Sequence, residues 1–293
     1  MKNLLIKISC ALLIVSGLVI LANEIVNSFD KENEVIVPHN EHFDPSLLRL
    51  RSVAAFTSYC DSLYGKSEIN ASDSEQYAAI VAQTLRDRFY HGYSYYYFGQ
   101  NSIAYFFAPL IREDLRAIVI PNDILKHPMA ACSQQSIVGM EVFKRKGIDV
   151  RKVGFYAKEY GGHFCFEAFF NGKWHFFDPD MEPKLSIMRK NHFPSIAELT
   201  QNDSLLHSLY TKEDRNFVEK LFLSYTYGPV NKFPAPNAIV FQYMTKFLSY
   251  FSWVAFILLY FFVGRKVNHT TKTKTQQTQQ RQIQSVIKKE SVS

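Results

Sequence analysis

His163-Phe-Cys-Phe-Glu-Ala-Phe-Phe-Asn-Gly-Lys-Trp-His-Phe-Phe-Asp178 sets two aromatic-rich, strand-forming runs on either side of Asn171-Gly172. Asn-Gly between alternating apolar runs is the strongest short signal for a two-residue type I′ hairpin. With those two residues as the turn, Glu167 pairs with Phe176, Ala168 with His175, and Cys165 falls opposite Asp178. Side chains alternate faces along a strand, so His163, Cys165 and Glu167 share a face with Trp174, Phe176 and Asp178. His163 is then a diagonal neighbour of Asp178, roughly 7–8 Å away at the backbone, a gap that an imidazole and a carboxylate can close. His175 points to the opposite face, and a one-residue slip would exchange the two faces. Taken alone, the pattern fits either a His–Asp pair with chemistry or an aromatic hairpin with a polar pair on its wetter side.

A thiol upstream gives the pair a partner. In Cys132-Ser-Gln-Gln-Ser-Ile-Val-Gly-Met-Glu-Val-Phe-Lys-Arg-Lys-Gly147, apolar residues recur at helical spacing, basic residues occupy the last turn, and Gly147 suits the position just past the helix. Cys132 starts that helix, where free N–H groups and the positive dipole end favour an anion. Of the four cysteines, Cys10 lies in an apolar N-terminal run and Cys60 has no histidine or carboxylate pattern around it. Cys165 shares the His163 strand but lacks a helix terminus. Cys132 is the preferred nucleophile, with a buried structural thiol as the competing reading. No Cys-x-x-Cys occurs, so neither a zinc motif nor a redox motif is indicated, and no cofactor is implied.

Three motifs resemble the bacterial branch of the transglutaminase-like superfamily. They are Asn122-Asp-Ile-Leu-Lys-His-Pro-Met-Ala-Ala-Cys132 before the thiol, Gly147-Ile-Asp-Val-Arg-Lys-Val-Gly154 after its helix, and Gly162-His163-x-x-x-Glu167 followed by Gly172-Lys-Trp174-x-x-x-Asp178-Pro179. The resemblance spans about Ala78 to Pro179 and implies a papain-like fold whose triad is Cys132 as nucleophile, His163 as general base and acid, and Asp178 as the group that orients the imidazole. The implied chemistry is attack on an acyl carbon of an amide, peptide or other acyl substrate through a thioester. Oxyanion stabilisation would come from the Cys132 N–H with one side-chain donor among Gln134, Gln135, Gln100 and Tyr95 to Tyr97. The chain departs from the pattern at Ala130, where the family usually has glycine, and at Cys165, where it often has tryptophan. Cys165 could form a disulfide with Cys132 and silence it. Two alternatives stand beside the hydrolytic or transglutaminase-like reading: a thioester-dependent acyltransferase, and a non-catalytic binding or assembly module of an envelope polysaccharide or secretion system.

The remainder of the sequence suggests a setting. Phe247–Val263 is an uncharged, aromatic-rich run between Lys246 and Arg265-Lys266, and reads as a transmembrane helix over 244–264. Ile8–Ala22 follows Lys2 and Lys7 and reads as a membrane anchor or signal peptide over 1–23. The tail 265–293 holds seven basic residues against Glu290 alone, so it carries the whole of the chain's formal charge of +6. It reads as a disordered cytoplasmic tail, and the basic balance is no sign of nucleic-acid binding. Between the runs lie a stalk and helix, 24–65, and the transglutaminase-like domain with a C-terminal helical extension, 66–236.

The sequence therefore predicts an α+β protein: a papain-like core, its nucleophile helix packed on an antiparallel sheet, flanked by two transmembrane helices. The catalytic domain would face the exported or periplasmic side of a cell membrane. Its partners would be a peptide, protein or envelope-polymer substrate, the lipid bilayer and a membrane-protein partner.

Overall fold

The computed structural model describes residues 2–29, 42–65, 74–159 and 161–251, with 254, 257, 258, 261 and 262 beyond them. Parts of the expected stalk (30–41), the stretch 66–73 and the basic tail lie outside the described residues. In chain order the helices are α1 (Lys2–Phe29), α2 (Val53–Tyr64), α3 (Ser74–Arg88), α4 (Ser102–Ile111), α5 (Pro121–Ile124), α6 (Cys132–Arg145), α7 (Leu185–Lys190), α8 (Ile196–Leu199), α9 (Asp203–Leu209) and α10 (Arg215–Phe222). The strands are β1 (Tyr90–His91), β2 (Met129–Ala130), β3 (Asp149–Ala157), β4 (Gly161–Phe170), β5 (Lys173–Phe177) and β6 (Thr226–Tyr227). Residues 236–251 are also helical. The chain divides into two compact units, the larger drawn from 42–96 and 108–242, the smaller from 2–29, 97–107 and the residues after 242.

The larger unit is built on an antiparallel sheet of order β5-β4-β3-β6. The hairpin forms in the register that its turn dictates: Glu167 pairs with Phe176, Ala168 with His175 and Phe170 with Lys173. Asn171 (φ 51°) and Gly172 (φ 77°) both take the left-handed conformation a type I′ turn requires. One sheet face carries Phe166 and Phe177, stacked at 5.3 Å, with Phe143 of α6 packed on both. Helix and sheet approach so closely that a Cβ on Gly139 would lie 2.7 Å from the Phe166 ring. The other face carries Phe155 and Phe176, covered by Phe222 of α10, with Tyr210 against Phe222.

Helix α6 ends as its sequence suggests. Gly147 (φ 72°) donates to the Lys144 carbonyl and Ile148 to that of Phe143, the two bonds of a Schellman motif. The Ser195 capping box is present: Glu198 N–H donates to Ser195 Oγ and Ser195 N–H to Glu198 Oε2, opening the short α8. Buried Glu167, which belongs to the motif block, has a structural task. It pairs with Arg151 at 2.6 Å and accepts the Ile196 N–H at 2.8 Å, joining sheet to α8.

In the smaller unit, Asn101 donates to Thr245 Oγ1 and accepts from Ser249 Oγ, while Tyr250 donates to the Gly99 carbonyl. The expectation of two flanking transmembrane helices is corrected here. Among the described residues, no helix is long and apolar enough to cross a membrane. Helix α1 has 28 residues, but its uncharged stretch is confined between Lys7 and Glu24. At about 1.5 Å per residue that stretch reaches only about 24 Å, against a hydrocarbon core of roughly 30 Å. Of the second run, the continuously described part stops at Phe251, and most of the remainder lies outside the described residues. The two-pass, exported placement was inferred from these spans.

Candidate active site

Cys132 is brought to the hairpin by backbone packing. Ser136 Oγ donates to the Phe164 carbonyl at 3.0 Å, so the second turn of α6 rests on the start of β4, and Cys132, one turn earlier, comes beside His163. The segment leading to it is tied down on several sides. Strand β2 pairs in parallel with β1, Tyr90 opposite Met129 and His91 opposite Ala130. The fully buried guanidinium of Arg88 donates to the carbonyls of Leu125 and His127, and burial with the nearby Arg51 charge lowers its pKa to about 10. Gln134, also fully buried, uses its whole amide. Its Oε1 accepts from the Ser94 and Ala131 N–H groups, and its Nε2 donates to the Ser94 and Ile118 carbonyls. Both Gln134 donors are thus spent, which removes it from the oxyanion candidates.

The three residues of the expected triad lie together. His163 Nε2 lies 3.0 Å from Asp178 Oδ2, and Cys132 hydrogen-bonds the same imidazole. Asp178 leaves the ladder immediately after Phe177, and its carboxylate closes a local turn: Oδ1 accepts the N–H groups of Asp180 and Met181, at 3.2 and 3.1 Å. Its Oδ2 accepts a further bond from the buried Tyr210 hydroxyl at 3.1 Å.

Burial alone would discharge these groups, and the partners reverse it. For His163, burial opposes the imidazolium, but the Asp178 charge, Cys165, and hydrogen bonds from Asp178 and Cys132 hold its pKa well above the usual value. For Asp178, burial opposes the carboxylate, and the His163 charge, its hydrogen bond, the Met181 N–H and Tyr210 together hold the pKa below the ordinary range.

Cys165 Sγ lies 3.1 Å from His163 Nε2, so a second thiol touches the imidazole. It is fully buried, and burial next to the Asp178 charge drives its pKa well up, whereas Cys132 is partly exposed. Cys60 is pushed up to about 12 by burial. All four cysteines are free. Of the two thiols at the imidazole, a reagent arriving from solvent therefore meets Cys132.

Three further side chains reach the site. Asp180 lies beside the thiol: one of its carboxylate oxygens, Cys132 Sγ and a His163 ring nitrogen are all within 4.8 Å of one another. Its Oδ1 is 2.6 Å from Nδ1 of the exposed His91. The sequence signal was the second acid in Asp178-Pro179-Asp180. Tyr93 hydrogen-bonds Ser133, stacks on Tyr95 at 6.0 Å, and has its pKa raised by burial, Cys132, Tyr95 and Asp180. Tyr210 carries no local signal.

The remaining oxyanion candidates scatter. Gln135 donates to the Ala130 carbonyl at 2.8 Å and lies 3.4 Å from Asp180 Oδ1. Tyr96 donates to Asp123, and Tyr95 stacks under Arg116. Tyr97 and Gln100 belong to the smaller unit, where the Tyr97 N–H donates to Gln100 Oε1. His175, on the opposite face as expected, is buried among the carbonyls of Phe170, His192 and Phe193. Comparison with protein-family models, curated proteins and solved structures finds no match to this chain.

Proposed function

We propose that the protein is a cysteine-nucleophile acyl-transfer enzyme of the transglutaminase-like kind, acting on an amide, peptide or other acyl substrate. The observation that carries this reading is the partly exposed Cys132 at the start of α6, hydrogen-bonded to an imidazole whose Nε2 is held 3.0 Å from a fully buried carboxylate. With Nε2 taken by Asp178, Nδ1 is left to face the thiol. His163 takes the Cys132 proton as sulfur attacks the acyl carbon, and the tetrahedral oxyanion is met by the Cys132 N–H, one of the orphan donors of a helix start. The C–N or C–O bond then breaks, and His163 returns its proton to the leaving group. His163 next deprotonates water or another acceptor, which attacks the thioester and releases Cys132. Asp178 stabilises the imidazolium in both halves.

The test requires no known substrate. Iodoacetamide should alkylate Cys132 faster than Cys60 or Cys165, because those two are buried with raised pKa values. His163→Ala should slow that labelling at least about tenfold. Labelling at Cys132 that is unchanged in His163→Ala, with the fold retained, would overturn the reading.

A further inference from the structure

We infer that Cys132, His163 and Asp180 also form a binding site for a zinc-class divalent cation, and that the cation switches the thiol off. A thiolate, an imidazole and a carboxylate are the three donor types that zinc combines, with a fourth position open to water. Their donor atoms already lie within 4.8 Å of one another. At usual zinc–ligand lengths of about 2.0 to 2.3 Å, tetrahedral donors are roughly 3.5 Å apart, so closure asks for shifts of about an ångström.

Two neighbours supply the outer support such sites need. Asp178, at 3.0 Å from Nε2, fixes the His163 ring beside the thiol and leaves Nδ1 as the nitrogen for a metal. His91 holds Asp180 Oδ1 at 2.6 Å and leaves the second oxygen for a metal. Access separates this trio from the other cluster at the same imidazole. His163, Cys165 and Asp178 also come within 4.8 Å, but all three are buried, and Asp178 already accepts four hydrogen bonds. Cys132 is partly exposed, which opens a route for a hydrated ion, while the Asp180 side chain is only 6% exposed.

Binding replaces the Cys132 S–H bond with S–Zn and passes the proton to solvent. The metal draws charge from the bound sulfur and lowers its nucleophilicity, and Nδ1 can no longer act as a base. The silencing rests on the nucleophile reading above, whereas the cation site does not.

The experiment uses the reduced, chelator-treated full chain. Zinc affinity is measured by competition with a chromophoric chelator, and iodoacetamide labelling of Cys132 is followed with and without zinc. One zinc per chain is expected, with labelling slowed at least tenfold by saturating zinc. Asp180→Asn and Cys132→Ser should each weaken zinc binding at least tenfold, and Cys165→Ala should leave it within about threefold. Cobalt in place of zinc should show a thiolate-to-metal charge-transfer band, a readout on the unaltered chain. The inference is overturned if zinc does not bind, if Asp180→Asn binds it as tightly as wild type, if Cys165→Ala abolishes binding, or if cobalt binds without the thiolate band. Failure of the nucleophile reading looks different: labelling of metal-free Cys132 would be indifferent to His163→Ala.

Discussion

Two histidine–aspartate pairs flank Cys132, and both carboxylates come from the three residues Asp178-Pro179-Asp180. They differ in their surroundings. His163 and Asp178 have side chains 8% and 0% exposed, and Asp178 is held by a tyrosine hydroxyl and two backbone N–H groups besides the imidazole. His91 is 61% exposed and contacts Asp180 at a shorter distance, 2.6 Å. Distance therefore does not rank the pairs. Desolvation of both partners makes the inner pair's attraction strong and its loss costly, while in the outer pair Asp180 is only 6% exposed but water reaches and screens His91.

The sharpest way to break that contrast is Asp178→Ala, which strands a buried imidazole. It should cost about 3–5 kcal/mol of stability in denaturant unfolding and slow Cys132 labelling along with it. Tyr210→Phe removes one hydrogen bond to a buried carboxylate and should cost about 1.5–3 kcal/mol by the same measurement.

pH sharpens the comparison next. His163 is raised and Asp178 lowered on folding, so the pair's stabilisation is complete between their unfolded values of about 4 and 6.5. It is lost as pH rises from about 6.5 through the raised value of folded His163, and as pH falls from about 4 through the lowered value of folded Asp178. The melting-temperature gap between wild type and Asp178→Asn should be widest inside that window. A gap that grows above about pH 7 would break the assignment. At the small end, His91→Gln should cost less than about 1 kcal/mol, and a cost matching that of Asp178→Ala would erase the distinction between the pairs.

The inner pair was legible in the sequence because its geometry is local. Asn171-Gly172 sets the register, alternation puts His163 and Asp178 on one face, and the two are 15 residues apart. The end of α6 was legible for the same reason, through Gly147. The outer pair was not, since His91 and Asp180 are 89 residues apart and meet only because β1 pairs with β2 just before Cys132. Tyr210 likewise reaches Asp178 from another element. Zinc spacing rules see ligands clustered along the chain and miss three donors on separate elements. The membrane expectation failed for α1 because apolar composition was weighed over reach: Lys7 and Glu24 cut its uncharged run short.

Gln134 has a consequence for how the chain acquires reactivity. Its single amide ties Ala131 at the helix start to Ser94 and Ile118, so the α6 start cannot settle until two separate backbone segments have converged on it. Closing such non-local contacts is the slow part of folding. During synthesis Cys132 also emerges well before His163, Asp178 and Tyr210. A nascent or half-folded chain would then carry an ordinary thiol, and its chemistry would switch on only with the finished fold.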